Sequence, residues 1–198
     1  MKVKKSWIII GVVLVIVFIL YRLFGGTYNN MVEYDETVIT AWSNVENVYQ
    51  RRADLIPNLV STVKGYAAHE KETLTGVIEA RAKATSINID AGNLTAASMQ
   101  QFQQAQAGLS SALSKLMVVV ERYPDLKANQ NFLELQSQLE GTENRIAVER
   151  RKFNETVKVY NTYIRSFPNN MVSGMYGFDR KVQFAADAGA DKVPEVKF

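Results

Sequence analysis

Four ionisable side chains, Arg52, Asp54, Glu143 and Arg150, with Asn58 beside them, are the residues whose types and placement could do chemistry. Two guanidiniums and two carboxylates balance in charge, which burial of such a group requires. An enzyme could use that layer. Polar layers in helical bundles more often fix register and partner choice, and the second role is the expectation here. Other chemistries lack parts. His69 is the sole histidine, so catalytic triads and histidine-rich metal sites cannot be assembled, and beside Glu70 it reads as a surface residue. The chain has no cysteine, which removes disulfides and thiolate metal sites. Gly25-Gly26 follows an apolar run and begins no phosphate loop. The Glu-x-x-His pairs of a di-metal bundle are missing. No catalytic residue, cofactor or metal is therefore expected.

The elements that must position the layer are long helices. Val38, Trp42, Val45, Tyr49, Arg52, Ile56, Leu59 and Val63 alternate in steps of four and three, the seam of a bundle helix or coiled coil. Arg52 falls on that seam, where an unpaired charge is costly. Pro57 cannot donate to the Ala53 carbonyl, so the helix is expected to kink or split there. Beyond it the pattern runs to about Ala84–Ser86, as one long helix or two nearly collinear ones. A loop at 87–93 precedes a second helix, about Leu94 to Arg122, with Met99, Phe102, Gln106, Leu109, Leu113, Leu116 and Val120 on its seam. Tyr123-Pro124 ends it. A third helix, from about Leu126–Asn129 to Phe167-Pro168, carries Phe132, Leu135, Leu139, Glu143, Ile146, Arg150, Phe153, Val157, Tyr160 and Ile164 in steps of three and four. The first and third helices, read as parallel with matched starts, bring Arg52, Asp54, Glu143 and Arg150 into one cluster near the level of Pro57; the alternative is that Glu143 and Arg150 lie at the bundle edge and reach water. The tail, 169–198, is irregular apart from a turn near Asn170–Gly174. Its aromatic and large apolar residues, Met171, Met175, Tyr176, Phe178, Phe184 and Phe198, suit packing on the bundle or on a partner.

Charge is uneven along the chain. Four of its 23 basic residues, Lys2, Lys4, Lys5 and Arg22, lie in the first 22 positions, and the remaining 19 face 20 acidic ones. The net charge of +3 thus belongs to the N-terminus, and nucleic-acid binding loses its electrostatic support. Trp7–Tyr21 is an unbroken apolar run that Leu23 and Phe24 extend past Arg22. It approaches the ~20 residues that span a bilayer, with Trp7 and Tyr21 as interfacial aromatics and Lys4, Lys5 and Arg22 able to snorkel. A cleaved signal peptide is the alternative, but Phe24-Gly25-Gly26-Thr27-Tyr28 is a poor cleavage site. The flanking lysines put the N-terminus in the cytoplasm and the bundle outside it. Gly25–Asn30 reads as a short break between anchor and bundle, with Asp35 or Thr37 able to cap the first bundle helix. The organisation expected is all-α: an anchor and linker at 1–30, an antiparallel up-down bundle of three long helices at 31–168, and the tail at 169–198.

The central stretch Arg51-Arg52-x-Asp54-Leu55-Ile56-Pro57-Asn58-Leu59-Val60 resembles the LemA family of bacterial membrane proteins. So do Trp42-x-x-Val45, Val63-Lys64-Gly65-Tyr66-Ala67-x-His69-Glu70, Val77-x-x-Ala80-Arg81, Tyr123-Pro124-x-Leu126, Glu143-x-x-Ile146-x-x-x-Arg150, Phe153-Asn154 and Gly177-Phe178. Phe153 stands where the family usually has tyrosine. The resemblance implies a transmembrane segment followed by an antiparallel helical bundle. It supplies no reaction. It also implies genes that often neighbour those of membrane peptidases or TPM-domain proteins, and an opposite topology is sometimes assigned to the family. The function expected is a membrane-anchored, non-enzymatic scaffold or adaptor in the bacterial cell envelope. It is held in the cytoplasmic membrane by residues 7–24, forms a homo-oligomer and has a possible membrane-protein partner. The alternatives are an accessory to a membrane peptidase or envelope-stress system, and an enzyme.

Overall fold

The structure is a computed structural model that describes residues 5–185. Lys2, Lys4 and Phe198 lie outside them. Among the described residues every regular element is helical. Helix α1 runs without interruption from Lys5 to Tyr66, 62 residues or about 93 Å. The turn expected at Gly25–Asn30 is absent. Both glycines sit in the helix, and the helical pattern on either side outweighs their poor propensity. Asp35 and Thr37 accordingly cap nothing; Asp35 instead pairs with Lys181 of the tail at 2.9 Å.

Nor does the chain split at Pro57, which lies inside α1. It breaks ten residues later, at Ala67–Glu70, and α2 (Lys71–Thr85) is not collinear with α1. The Arg81 Nε donates to the Ala53 carbonyl at 2.7 Å. Those residues are 28 apart, and in a collinear helix they would stand about 42 Å from one another. Helix α2 therefore folds back along α1. The reversal is tied down at Glu70, whose carboxylate receives the Tyr123 hydroxyl and the Arg122 guanidinium, each at 3.0 Å.

A 3-10 turn at Ala91–Asn93 leads to α3 (Ala96–Val120), which opens with a capping box between Thr95 and Ser98. The short α4 (Pro124–Lys127) begins with proline at its first position. Helix α5 (Gln130–Arg165) is capped by Asn129, whose side chain accepts from the Phe132 N–H. Helix α6 (Asn169–Tyr176) ends at Gly177, whose φ of +74° lies in the left-handed region that glycine adopts without strain. The order is up, down, up, down through α1, α2, α3 and α5. The expected three long helices become four staves because α2 turns back. The expected parallel pairing of first and third helices is also wrong: Trp42 meets Phe153 and Arg52 meets Glu143, so α5 runs antiparallel to α1.

The core falls into two apolar clusters stacked along the bundle. One gathers Trp42, Tyr49, Phe102, Ile146, Phe153, Tyr160 and Phe184 toward the anchor end. The other gathers Ile56, Leu59, Val63, Leu74, Val77, Leu109, Leu116, Phe132 and Leu139 toward the α1–α2 turn.

Candidate functional site

A polar layer separates the two clusters, and it is built at one heptad step on each of three helices. On α1 the apolar clusters end at Tyr49 and resume at Ile56, with Arg52 between. On α3 they end at Phe102 and resume at Leu109, with Gln106 between. On α5 the corresponding positions are Ile146 and Leu139, with Thr142 and Glu143 between. Arg52 is 3% exposed. Its Nη1 donates to Glu143 Oε2 at 2.9 Å and to Ser110 Oγ at 3.2 Å, and its Nη2 donates to Gln106 Oε1 at 2.5 Å. The guanidinium lies 5.1 Å from the Tyr49 ring centre. Gln106 passes the network on, its Nε2 donating to the Ala84 carbonyl at the end of α2. Four helices thus meet at this layer.

Of the residues expected in the cluster, the structure brings together Arg52, Glu143 and Arg150. They line one cleft of about 340 Å³ with Tyr49, Gln103 and Ser110. Asp54 and Asn58 are elsewhere. Both are exposed, and Asp54 accepts only from Gln50 one turn back on the surface of α1. They share Arg52's sequence neighbourhood, but at 3.6 residues per turn they point away from the seam. Glu143 is 60% exposed, so the Arg52–Glu143 pair is half solvated. The α5 position that is buried here is its neighbour Thr142, which completes the alternating spacing from Leu139 to Ile146. Glu143 reaches Arg52 from the rim. Arg150 donates from Nη2 to the Ala185 carbonyl at 3.2 Å and stacks 5.0 Å from the Phe184 ring, so it serves the tail.

Two further arrangements went unread in the sequence. The first is the Arg81–Ala53 bond, which supplies the donor that Pro57 lacks. Arg81 was visible only as a motif residue, because the fold-back that delivers it is a tertiary event. The second is a clamp on the tail. Asn154 and Asn161, two turns apart on α5, each hold both backbone groups of one tail residue. Asn154 takes Phe184 at 2.8 and 3.1 Å, and Asn161 takes Lys181 at 2.9 and 3.0 Å. Between them they fix residues 181–184 as a strap along α5. Its side chains lock in on either side: Phe184 against Trp42, Phe102 and Phe153, and Lys181 Nζ on the Gly92 carbonyl and Asp35. The Tyr160 hydroxyl donates to the Asp179 carbonyl at 3.0 Å. Burial, with Asp35 and Asp179 nearby, pushes that phenol well above the usual tyrosine range. The packing of the tail along the bundle follows the sequence expectation, although α6 is longer than the single turn expected.

The site has a guanidinium engaged through both terminal nitrogens, its Nε buried without a partner among the described residues, and a strap held by amide pairs. Among the described residues no cluster of histidine, aspartate and glutamate could hold a metal ion. What the geometry does is hold helices and tail in register.

The comparisons with known proteins give the family of the chain. The chain is 28% identical over 202 aligned positions to the magnetosome protein MamQ 2 of Paramagnetospirillum magneticum, covering 92% of this chain and 73% of that protein. It is 26% identical over 183 positions to MamQ of Magnetospirillum gryphiswaldense, covering 83% of this chain and 66% of that protein. It is 25% identical over 171 positions to Protein LemA of Metamycoplasma hominis, covering 86% and 74%. The family model described as LemA family matches residues 41–198, from the Trp42 turn through the polar layer and onward past the strap. A match of that extent shows that the chain belongs to the LemA family.

Proposed function

We propose that this protein is a single-pass, membrane-anchored scaffold or adaptor of the bacterial cell envelope, and that it works through its bundle surface by self-association and partner binding. The observation that carries the proposal is the continuity of α1. Its N-terminal stretch is apolar and wholly exposed, and the same helix without a break becomes the central stave of the bundle. In water that exposed surface would cost about 25 cal/mol for each Å² left uncovered. In a bilayer residues 7–24 are at home, with Lys5 just before the span and Arg22 near its C-terminal end, able to snorkel. Lys2, Lys4 and Lys5 assign the N-terminus to the cytoplasm and the bundle to the outer side. The polar layer supports a non-enzymatic role, since Arg52 is committed to Gln106, Ser110 and Glu143. Crosslinking in the native membrane, followed by identification of what is joined to the bundle, tests the proposal. The expected products are the protein joined to itself and to a membrane partner. A chain that stays monomeric and uncrosslinked contradicts it.

A further inference from the structure

Helix α6 closes the end of the bundle from which α1 leaves for the membrane. Its N-terminal residue Asn169 meets Thr27, and its C-terminal residue Tyr176 meets Tyr28 edge-to-face with ring centres 4.9 Å apart. Both ends of an eight-residue helix, about 12 Å long, therefore touch consecutive residues of α1. With both ends on adjacent residues of α1, α6 reads as a crossbar lying across that helix. Its inner side is fixed: Val172 and Ser173 are buried, and the Ser173 hydroxyl donates to the Ile164 carbonyl near the end of α5. Its outer side is apolar. Met171 and Met175, one turn apart, are 56% and 70% exposed, and Phe167 just before the helix is 83% exposed.

The height of this crossbar is set by α1. The apolar run ends at Phe24, and Thr27 follows three residues later, about 4.5 Å along the helix axis. The polar headgroup layer extends about 5–7 Å beyond the hydrocarbon on each side. We infer that α6 is an interfacial element: Phe167, Met171 and Met175 dip into the headgroup–acyl boundary of the phospholipid bilayer and seat the base of the bundle on the membrane. This rests on the reading of residues 7–24 as the bilayer span. An α6 lying along the interface, with its bundle face already occupied, has one direction left for its methionines, and at that height the medium on that side is lipid. The seat also fixes the tilt of α1, because a crossbar parallel to the surface resists rotation of the helix it is bolted to.

The absence of cysteine makes the test direct. Single cysteines at Val13, Val118, Met171 and Met175, all exposed positions, carry nitroxide labels in the full chain reconstituted into vesicles of phosphatidylethanolamine and phosphatidylglycerol. Collision with oxygen, which favours lipid, is compared with collision with a water-soluble nickel chelate. The expected result is a ratio at 171 and 175 several-fold above that at 118 and below that at 13. A ratio at 171 and 175 equal to that at 118, with 13 in hydrocarbon, overturns the interfacial seat and leaves the span intact. Low collision with both reagents at 171 and 175 also overturns it, since protein then covers the face. An aqueous ratio at 13 overturns the span itself.

Discussion

Arg52 gains its place in an apolar seam through its two terminal nitrogens, which satisfy Gln106, Ser110 and Glu143, while its Nε stays without a partner among the described residues. Removing it leaves Gln106 Oε1 buried with no guanidinium, and the Tyr49 face loses its cation. Glu143 reaches water and can rehydrate, so the penalty of a stranded buried charge does not arise. Arg52→Ala is expected to destabilise the protein by about 2–4 kcal/mol, through one unsatisfied buried acceptor and a cavity. Glu143→Gln is expected to cost under ~1 kcal/mol, as a half-solvated pair does. Denaturant unfolding of the two variants in mild detergent checks both, and equal losses would mean that Glu143 carries the layer. Tyr160 gives a pH signature. Its folded pKa is raised, so its contribution is complete below the unfolded value of about 10 and is lost as pH rises beyond that. Tyr160→Phe should lower stability at neutral pH by about 1 kcal/mol, the Asp179 hydrogen bond, and flatten the alkaline decline. A decline unchanged in slope would assign it to another group.

At the scale of elements, proline and arginine act together. Pro57 withholds the N–H that the Ala53 carbonyl needs, and Arg81 brings a replacement from α2. Arg81→Met should cost about 1–3 kcal/mol, since it leaves a buried carbonyl unsatisfied. In a Pro57→Ala background, where the helix supplies its own donor, the same change should cost at least about 0.5 kcal/mol less. Additive losses in that double-mutant cycle would mean that the two residues stabilise the fold separately. The glycines of α1 give a simpler case. Neither Gly25 nor Gly26 has a heavy atom within 4 Å of where a Cβ would stand. Alanine at both should slow proteolysis between residues 24 and 31, by about 1 kcal/mol of helix propensity per site. Faster cutting would mean that the chain needs a turn there. Helix identity was legible from the seams of α1, α3 and α5, because apolar spacing is a local property. The fold-back of α2 was not, since Gly65 just before Ala67–Glu70 is only a weak breaker and what fixes that turn is Glu70's contact with residues of the α3–α4 turn. Arg52 and Arg150 were legible as members of one site. Glu143 passes for a seam residue because two successive steps of four hide Thr142, and Asp54 and Asn58 join Arg52 by sequence proximity alone.

For the whole molecule, these features combine into a rigid mast. The apolar run, the polar layer and the strap all sit on or against the one helix α1, so a partner at the far turn is joined to that run by a single helix whose missing backbone bond at Pro57 is replaced by Arg81. The apolar run and its flanking lysines were legible because bilayer thickness and charge bias act on sequence directly. The unbroken passage through Gly25–Asn30 was not, because glycine propensity argues for a turn while packing against α6 and the bundle favours a helix. The proposed envelope role depends most on which side of the membrane holds the bundle, and one labelling experiment decides it. Val118, exposed on α3 far from the anchor, is changed to cysteine in a chain that otherwise has none. Intact spheroplasts are treated with a membrane-impermeant maleimide before and after permeabilisation. Full labelling before permeabilisation is the predicted result; labelling that appears only afterwards would place the bundle in the cytoplasm and contradict that role.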